Sequence, residues 1–361
     1  AWSRVPQNQL LSSLAFMGNM QFEKPLGKSR KPIAIIPYVN ALTSRNFASD
    51  SNDSKLSFGG DAKLSIGNSM NLDITVNPDF SNVEVDENFT NLTRFEVFIP
   101  EKRQFFIDNN DLFGGYGDAY GSANPFFSRR IGLASDAMGN LIENRILGGV
   151  RLSGKLNDNW RLGFLNLQTA ADTKNEIASN NNMMFALQRK MFSRSSLGFF
   201  AVNRQTFGDY KFMDPANEYN RVFGIEYNLA SADNSLTGKF YLHKSLQPDD
   251  TKGNYSWQTT ITWQPRKFNY ILDFQYVDED FRADLGFVQR TGVLKNVNGF
   301  SYNFYPKSGK VSRHSPGAMA LYYWRPDMDW KKSDHVYNLY YSINFTNQST
   351  LRADYRNNYV Y

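Results

Sequence analysis

Apolar and polar residues alternate along most of this chain with a period of two. Between Asn144 and Gln275 one unit recurs: roughly ten alternating residues, a tight polar turn, and the alternation again. Phe268, Tyr270, Leu272, Phe274 and Tyr276 fall on alternate positions, with Asn269, Asp273 and Gln275 among the residues between them. Tyr255, Trp257, Ile261 and Trp263 likewise oppose Ser256, Gln258, Thr260 and Thr262. Successive strand side chains point to opposite faces, so each segment has an aromatic-aliphatic face and a face carrying Glu226, Lys239, His243 or Asp273. This pattern predicts an all-β fold, a transmembrane antiparallel up-and-down β-barrel with lipid outside and a polar lumen inside. Leu272 then faces lipid and Asp273 the lumen. An arginine is expected to cost roughly 2–4 kcal/mol at the first position and far less at the second.

About 14–16 strands are legible, and they are joined by short and long connections in alternation. Asn157–Asn159, Phe192–Arg194, Ala232–Asn234 and Gln264–Arg266 are short; Thr43–Ser54, Thr169–Asn182, Thr206–Asn220, Gln247–Asn254 and Asp278–Leu294 are long. Barrels of the bacterial outer membrane keep tight turns in the periplasm and long loops outside, which puts the N-terminus in the periplasm. Residues 1–31 read as a periplasmic lead-in and 32–361 as the barrel. By the same count the last strand runs outward, so the sequence reads as stopping before the barrel closes. The rival reading is one uncounted strand at Thr93–Ile99.

Composition narrows the classes. No apolar run approaches the ~20 residues of a membrane-spanning helix. A mean hydropathy of −0.52 is compatible with a barrel, where only half of each strand meets lipid. The 29 Phe and 20 Tyr suit aromatic girdles at the membrane interfaces. With no cysteine, disulfides and thiolate metal sites are excluded. The net charge of +5 is dispersed, which suits outer-membrane lipid and lipopolysaccharide phosphates and gives no basic block for nucleic acid. No signal-peptide pattern opens the sequence, which reads as a mature chain or an excerpt.

Asn77–Asn144 breaks the pattern. It is far longer than the ~15 residues of an ordinary loop, yet its aromatics are not those of a disordered one. Phe80, Phe95, Phe105, Phe106 and Phe127 are candidate apolar anchors; Asp79, Glu84, Asp86, Arg94, Glu101, Lys102, Arg103, Arg129 and Arg130 form a candidate charge cluster. Residues 77–144 are therefore expected to form an ordered insert that plugs the lumen or covers its mouth. Buried charges are costly unless paired, so opposite signs should meet, with Arg129 and Arg130 paired to carboxylates such as Glu101 or Asp86. The insert would act as a gate or docking surface, or as a plug whose charges merely satisfy the wall.

Five blocks of the insert stand out in order: Asn77-Pro78-Asp79-Phe80-Ser81, Val83-Glu84-Val85-Asp86, Asn91-Leu92-Thr93-Arg94-Phe95, Pro100-Glu101-Lys102-Arg103-Gln104-Phe105-Phe106 and Phe127-Ser128-Arg129-Arg130-Ile131-Gly132. With Trp2-Ser3-Arg4-Val5-Pro6, Pro37-Tyr38-Val39 and Leu285-Gly286-Phe287-Val288-Gln289-Arg290-Thr291, they resemble the DUF5916 family of Bacteroidetes. Members of that family look like outer-membrane barrels, often preceded by a family-9 carbohydrate-binding-like domain that has no counterpart here. Gln104 and Ile107-Asp108-Asn109 depart from the family pattern. The resemblance implies a fold and no activity.

Candidate chemistry is thin. His243 falls on the lumenal row; His314 and His335 lie near Ser312, Ser315 and Asp334, from which a hydrolase triad could only be assembled by geometry. Glu84 and Asp86 could be cast as a glycosidase pair, though nothing in the sequence fixes their separation; Asp249-Asp250 or Asp278-Glu279-Asp280 could be cation ligands, but solvated acidic loop tips are the better account of them. No metal or cofactor site is expected. The function expected is that of a non-enzymatic outer-membrane barrel, a scaffold or accessory subunit in a surface assembly for envelope biogenesis, secretion or nutrient capture. Such a subunit would have protein partners. The alternatives are a porin or gated channel for small or carbohydrate-like solutes and, remotely, an outer-membrane hydrolase.

Overall fold

The computed structural model describes residues 5, 16–18, 20–24, 33–47, 51–67, 69–78, 90–91, 95–248, 250 and 252–361. Three strands come first: β1 (Ile33–Asn46), β2 (Ser51–Ile66) and β3 (Met70–Val76). The insert follows, with single helical turns α1 (Gln104–Ile107) and α2 (Asn110–Phe113) and short strands β4 (Ala123–Asn124), β5 (Leu133–Ser135) and β6 (Leu141–Glu143). Next are β7 (Ile146–Lys155), β8 (Trp160–Thr169), β9 (Ser179–Met191), β10 (Ser195–Phe207), β11 (Tyr219–Ala230), β12 (Leu236–Leu246), β13 (Tyr255–Trp263) and β14 (Phe268–Val277). The chain continues through β15 (Phe287–Val288), β16 (Val293–Tyr302), β17 (Val311–Arg325), β18 (Lys331–Phe345) and β19 (Thr350–Tyr359).

Fifteen of these strands form one sheet in sequence order, from β1 to β3, then β7 to β14, then β16 to β19. Every strand in it pairs antiparallel with its neighbours, for example Leu272 with Ile261 and Asp273 with Val297. All fifteen lie where the alternation predicts strands. Residues 95–99 are irregular, which removes the described part of the rival strand at Thr93–Ile99. Boundaries differ most where the flanks are polar. β1 and β2 pair up to Asn46 and Ser51, so most of the expected loop Thr43–Ser54 is hairpin. β17 begins at Val311 with a polar stretch that pairs with β18 across a register shift between Val311 and Arg313.

The sheet is rolled. Lys63 on β2 holds Asp108 at 2.6 Å, and Lys295 on β16 holds Asp118 at 3.6 Å. Ten strand spacings separate β2 from β16 in the sheet order, which is ~48 Å when flat. The nine residues between the two aspartates include α2 and span less than ~30 Å. Only a curved sheet brings both lysines to one short segment. β1 and β19 are the two edges and do not pair with each other, so the sheet is open.

The concave face is not uniformly polar. Along β8 to β11 it presents Leu165, Leu167, Met184, Ala186, Phe200, Val202 and Val222, all buried in one cluster with Leu112, Phe113, Tyr116, Phe126 and Ile131 of the insert. From β12 to β16 it presents His243, Ser256, Gln258, Asp273, Gln275 and Lys295, also buried. The convex face leaves Phe199, Phe223, Ile225, Leu242, Trp263, Phe274 and Phe300 exposed. Cation–ring pairs bound this apolar belt. Arg189 over Trp160 at 5.4 Å and Arg266 over Tyr305 at 4.8 Å lie at the short-turn rim; Arg221 over Tyr219 at 4.4 Å and Lys244 over Tyr255 at 4.3 Å lie at the long-loop rim. Of the lead-in, Phe16 lies under Arg194 at 5.6 Å, which places it at the short-turn rim.

Gly224 on β11 marks tight packing on the concave face. A Cβ there would stand 2.3 Å from Phe200 and 2.4 Å from His243. Gly224→Ala is expected to destabilise the fold by about 1–3 kcal/mol, read as a lowered denaturation midpoint. An unchanged midpoint would mean that the insert and this part of the wall are not packed together.

Candidate functional site

The insert is fixed at its base by one carboxylate. Glu101 accepts from Arg103 Nε at 2.9 Å and Nη2 at 2.7 Å, from Ser128 Oγ at 2.6 Å, and from the backbone N–H groups of Lys102 and Arg103. The rest of the Arg103 guanidinium donates to the carbonyls of Ile131 and Ser128 and covers the ring of Phe106 at 4.3 Å. Burial alone would push the Glu101 carboxyl up. The hydrogen bonds and charge of Arg103, with help from Ser128, outweigh it and leave the pKa below the usual glutamate value.

The following arginines face another partner. Arg130 donates to Glu96 at 2.6 Å and to the carbonyl of Gly286 at 2.9 Å; Arg129 donates to the carbonyl of Pro100 at 2.9 Å. Glu101 is thus the partner of Arg103, and Arg130 takes Glu96. Gly286 belongs to the loop between β14 and β16, and that loop is knitted to the insert along its length. Phe127 N–H donates to Leu285, Gln289 N–H to Ser122, and β15 pairs with β4. Phe98, Phe127 and Phe287 close the seam, with ring centroids 5.0 to 5.7 Å apart. Arg290 extends it to β18 through Asp334 at 3.0 Å, with Phe95 and Tyr323 against its guanidinium.

Two wall clusters grip the insert's tip. On β3 and β7, the Arg151 side chain is 2% exposed and binds Asp73 at 2.8 Å and the carbonyl of Asp108 at 2.8 Å. Asn109 takes the left-handed conformation, which asparagine tolerates, and donates to Ser153 at 3.0 Å. Across the interior, Glu226 accepts from the N–H of Gly117 at 2.6 Å and sits 2.8 Å from His243 and 3.2 Å from Lys239. Lys239 also donates to the carbonyl of Gly115 at 2.8 Å. Gln258 accepts from the N–H of Ala119 at 3.0 Å and donates to Asp118 and Asp273. Lys295 stands between Asp118 at 3.6 Å and Asp273 at 3.1 Å. The charge of Lys295, with Ser122 and Gln258, overrides the burial of Asp118 and keeps its carboxyl low.

Of the residues expected to form the site, Glu101, Arg103 and Arg130 pair with opposite charges, Phe106 is buried, and Phe95, Phe105 and Phe127 are half-buried. Lys102 contributes its backbone N–H. Asp79, Phe80, Glu84, Asp86 and Arg94 lie outside the described residues, so the Glu84/Asp86 pair and the Arg–Asp86 pairing do too. Asp118, Asp108, Lys63, Asp73, Arg151, Gln258 and Lys295 were missed. Alternation marked the wall residues as inward, but nothing local says which inward residue meets an insert more than a hundred positions away. The mild cost expected of arginine at Asp273 also fails. Asp273 is 0% exposed and accepts from Gln258 and Thr260, both at 2.8 Å, beside Lys295.

The triad chemistry does not assemble around His314 or His335. His314 meets Tyr341 at 2.8 Å and stacks on Phe304. His335 stacks on Tyr359, while its neighbour Asp334 turns to the other face to meet Arg290. Among the described residues no group of three or more His, Asp or Glu is placed to hold a metal ion.

A rolled antiparallel sheet with a polar-latched insert defines the class to which the chain belongs. The chain is a member of the family described as "Domain of unknown function (DUF5916)", whose model matches residues 32–359. Both knitted blocks, Pro100–Phe106 and Leu285–Thr291, fall inside that span. No curated protein matches. Among solved structures, the one titled "Crystal structure of Acinetobacter baumannii OccAB2" is similar over 92% of this chain and 89% of that one, at 11% identity and a TM-score of 0.30.

Lys295→Met would leave Asp118 and Asp273 buried without their cation. It is expected to cost about 3–5 kcal/mol, partly recovered by adding Asp273→Asn. A loss below ~1 kcal/mol in chemical denaturation would show that the tip is not latched. The Glu101 pKa is lowered on folding, so its stabilisation is present above the unfolded value of 4.5 and is lost as pH falls through the folded value. Glu101→Gln should therefore flatten the acid limb of the stability profile; an acid limb identical to wild type would refute the assignment.

Proposed function

We propose that this chain is an outer-membrane β-barrel whose interior is occluded by the Asn77–Asn144 insert, acting without catalysis as a scaffold or accessory subunit of a surface assembly. The observation that carries this reading is the span of the insert's tip, latched to Lys63 on one side and to Lys295 on the other. A segment held across the interior by ion pairs on both sides obstructs passage, which favours a plug over an open pore. The convex belt supports the membrane setting. Exposed side chains such as Phe199, Ile225, Leu242 and Phe300 would form an aggregation-prone surface in water, whereas lipid covers them. Cation–ring pairs at both rims suit the headgroup levels. Hydrocarbon does not tolerate unpaired edges, so this reading requires β1 and β19 to be paired in the membrane, with each other or with further strands. On the same reading the short turns and the lead-in face the periplasm. The accessory role follows from occlusion: a barrel that passes nothing offers its loops and lumen-borne insert to partner proteins.

Two measurements test this. In planar bilayers the reconstituted chain should show no stable openings, while Lys295→Met with Lys63→Met should produce flickering conductance as the tip loosens. Steady wild-type openings permeable to sugars would favour the channel reading and sink the plug. Ile225→Arg, on the convex face, should destabilise the inserted protein by roughly 2–4 kcal/mol near the midplane. An effect near zero would remove the lipid-facing assignment.

A further inference from the structure

The two rims of the sheet differ in charge. Neighbouring strands are antiparallel, so alternate connections emerge at opposite rims: the tight turns of β2–β3, β7–β8, β9–β10, β11–β12 and β13–β14 at one, and the insert with the longest loops at the other. The short-turn rim carries Lys155, Lys190, Lys267, Lys307 and Lys310, all exposed and, among the described residues, none in an ion pair. Arg189 and Arg266 cover Trp160 and Tyr305 just inside it. Its acids are Asp158 and Asp233, and Asp233 is engaged by Ser231 and Ser235, whose hydrogen bonds hold its pKa at about 2. The long-loop rim is acid-rich, with Asp209, Asp214, Glu218, Asp278, Glu279 and Asp280 among its carboxylates. The net charge of +5 is therefore not dispersed; its basic excess sits at the short turns.

We infer that the short-turn rim is a collar for anionic phospholipid headgroups. This rests on the membrane reading above and adds a lipid class and a leaflet to it. Unpaired lysines one turn beyond an aromatic girdle stand where phosphates lie when the belt is in hydrocarbon. Each cation near an anionic surface contributes enough to change partitioning about fivefold, so four or five acting together are decisive. The opposite rim, lined with carboxylates, would be repelled by the same headgroups. The collar thus selects the leaflet facing the short turns, opposite the lipopolysaccharide side expected from net charge alone.

The test uses the full chain refolded into vesicles of phosphatidylcholine alone or with about one third phosphatidylglycerol, scored by protease-protected insertion. Wild type should insert into both and favour the anionic vesicles by on the order of tenfold or more at low salt, the preference fading as salt screens it. Lys190→Glu, Lys267→Glu, Lys307→Glu and Lys310→Glu combined should abolish the preference and leave insertion into phosphatidylcholine intact. The matching Lys→Gln set, milder for folding, should reduce it. Reversing Lys174, Lys211 and Lys252 at the other rim should not. A preference that survives the short-turn reversal, or is lost equally on reversal at the long loops, overturns the collar. So does its loss to inorganic phosphate at matched ionic strength, which would identify a free-anion site. Equal insertion of wild type into both vesicles overturns the collar alone; failure to insert into either overturns the membrane reading beneath it.

Discussion

Lys295 is the ion on which the interior depends. It lies on the wall, 5% exposed, and is shared between a wall carboxylate, Asp273, and an insert carboxylate, Asp118. Two buried carboxylates are tolerable here only while the cation stays between them, because removing Lys295 leaves both charges uncompensated in a low-dielectric site. Such a triad contributes little as net stability compared with an apolar packing of the same volume. What it fixes is register: it admits one position of the tip along the wall. Arg151 with Asp73 and Asp108 does the same on the opposite side. The insert is pinned at both ends of its reach, and the curvature of the sheet follows from having to meet it twice.

Apolar packing carries the energy that these ions do not. Leu112, Phe113 and Tyr116 press on Leu165, Met184 and Phe200, each fully buried side chain worth about 1.5–3 kcal/mol against exposure. Tyr116 lies 4.8 Å from Phe200, and its buried hydroxyl has a raised pKa because desolvation and the nearby Glu226 both oppose its ionisation. The concave face is thus divided by function, an apolar patch for adhesion beside a polar patch for placement.

Much of the fold was legible because the physics that sets it is local. Each strand must separate two faces, and a period of two records this, so all fifteen sheet strands were found. Boundaries failed where polarity ran on both faces, as in Asn180–Asn182 of β9 and His314–Pro316 of β17, since alternation vanishes once neither face is buried in an apolar layer. Among the described residues of the expected charge cluster, Glu101, Arg103 and Arg130 meet opposite charges, as burial demands. Which charges met was not legible. Arg103 turned back two residues to Glu101, a local pairing, whereas Lys295 reached Asp118 through a tertiary contact that no spacing encodes. Leu165, Met184 and Phe200 stand on an inner face expected to be polar, and they are buried in one cluster with Leu112 and Phe113 of the insert.

The seam between the insert and the β14–β16 loop explains why the two blocks belong together. Phe287 is completely buried beneath Phe98 and Phe127, and Gly286 lies so close to the Asn124 and Pro125 carbonyls that a Cβ would stand 2.5 and 3.0 Å from them. No larger residue fits at 286 without parting the seam, and Arg130 would then lose the carbonyl it holds beside Glu96. Arg290 carries the same seam to Asp334 on β18. An insert rooted between β3 and β7 is thereby tied to strands far along the sheet. The consequence is mechanical: the tip cannot swing clear by yielding at Lys295 alone, because the β4–β15 pairing also holds its C-terminal side to the β14–β16 loop. Displacing the tip requires the latch and the seam to give together.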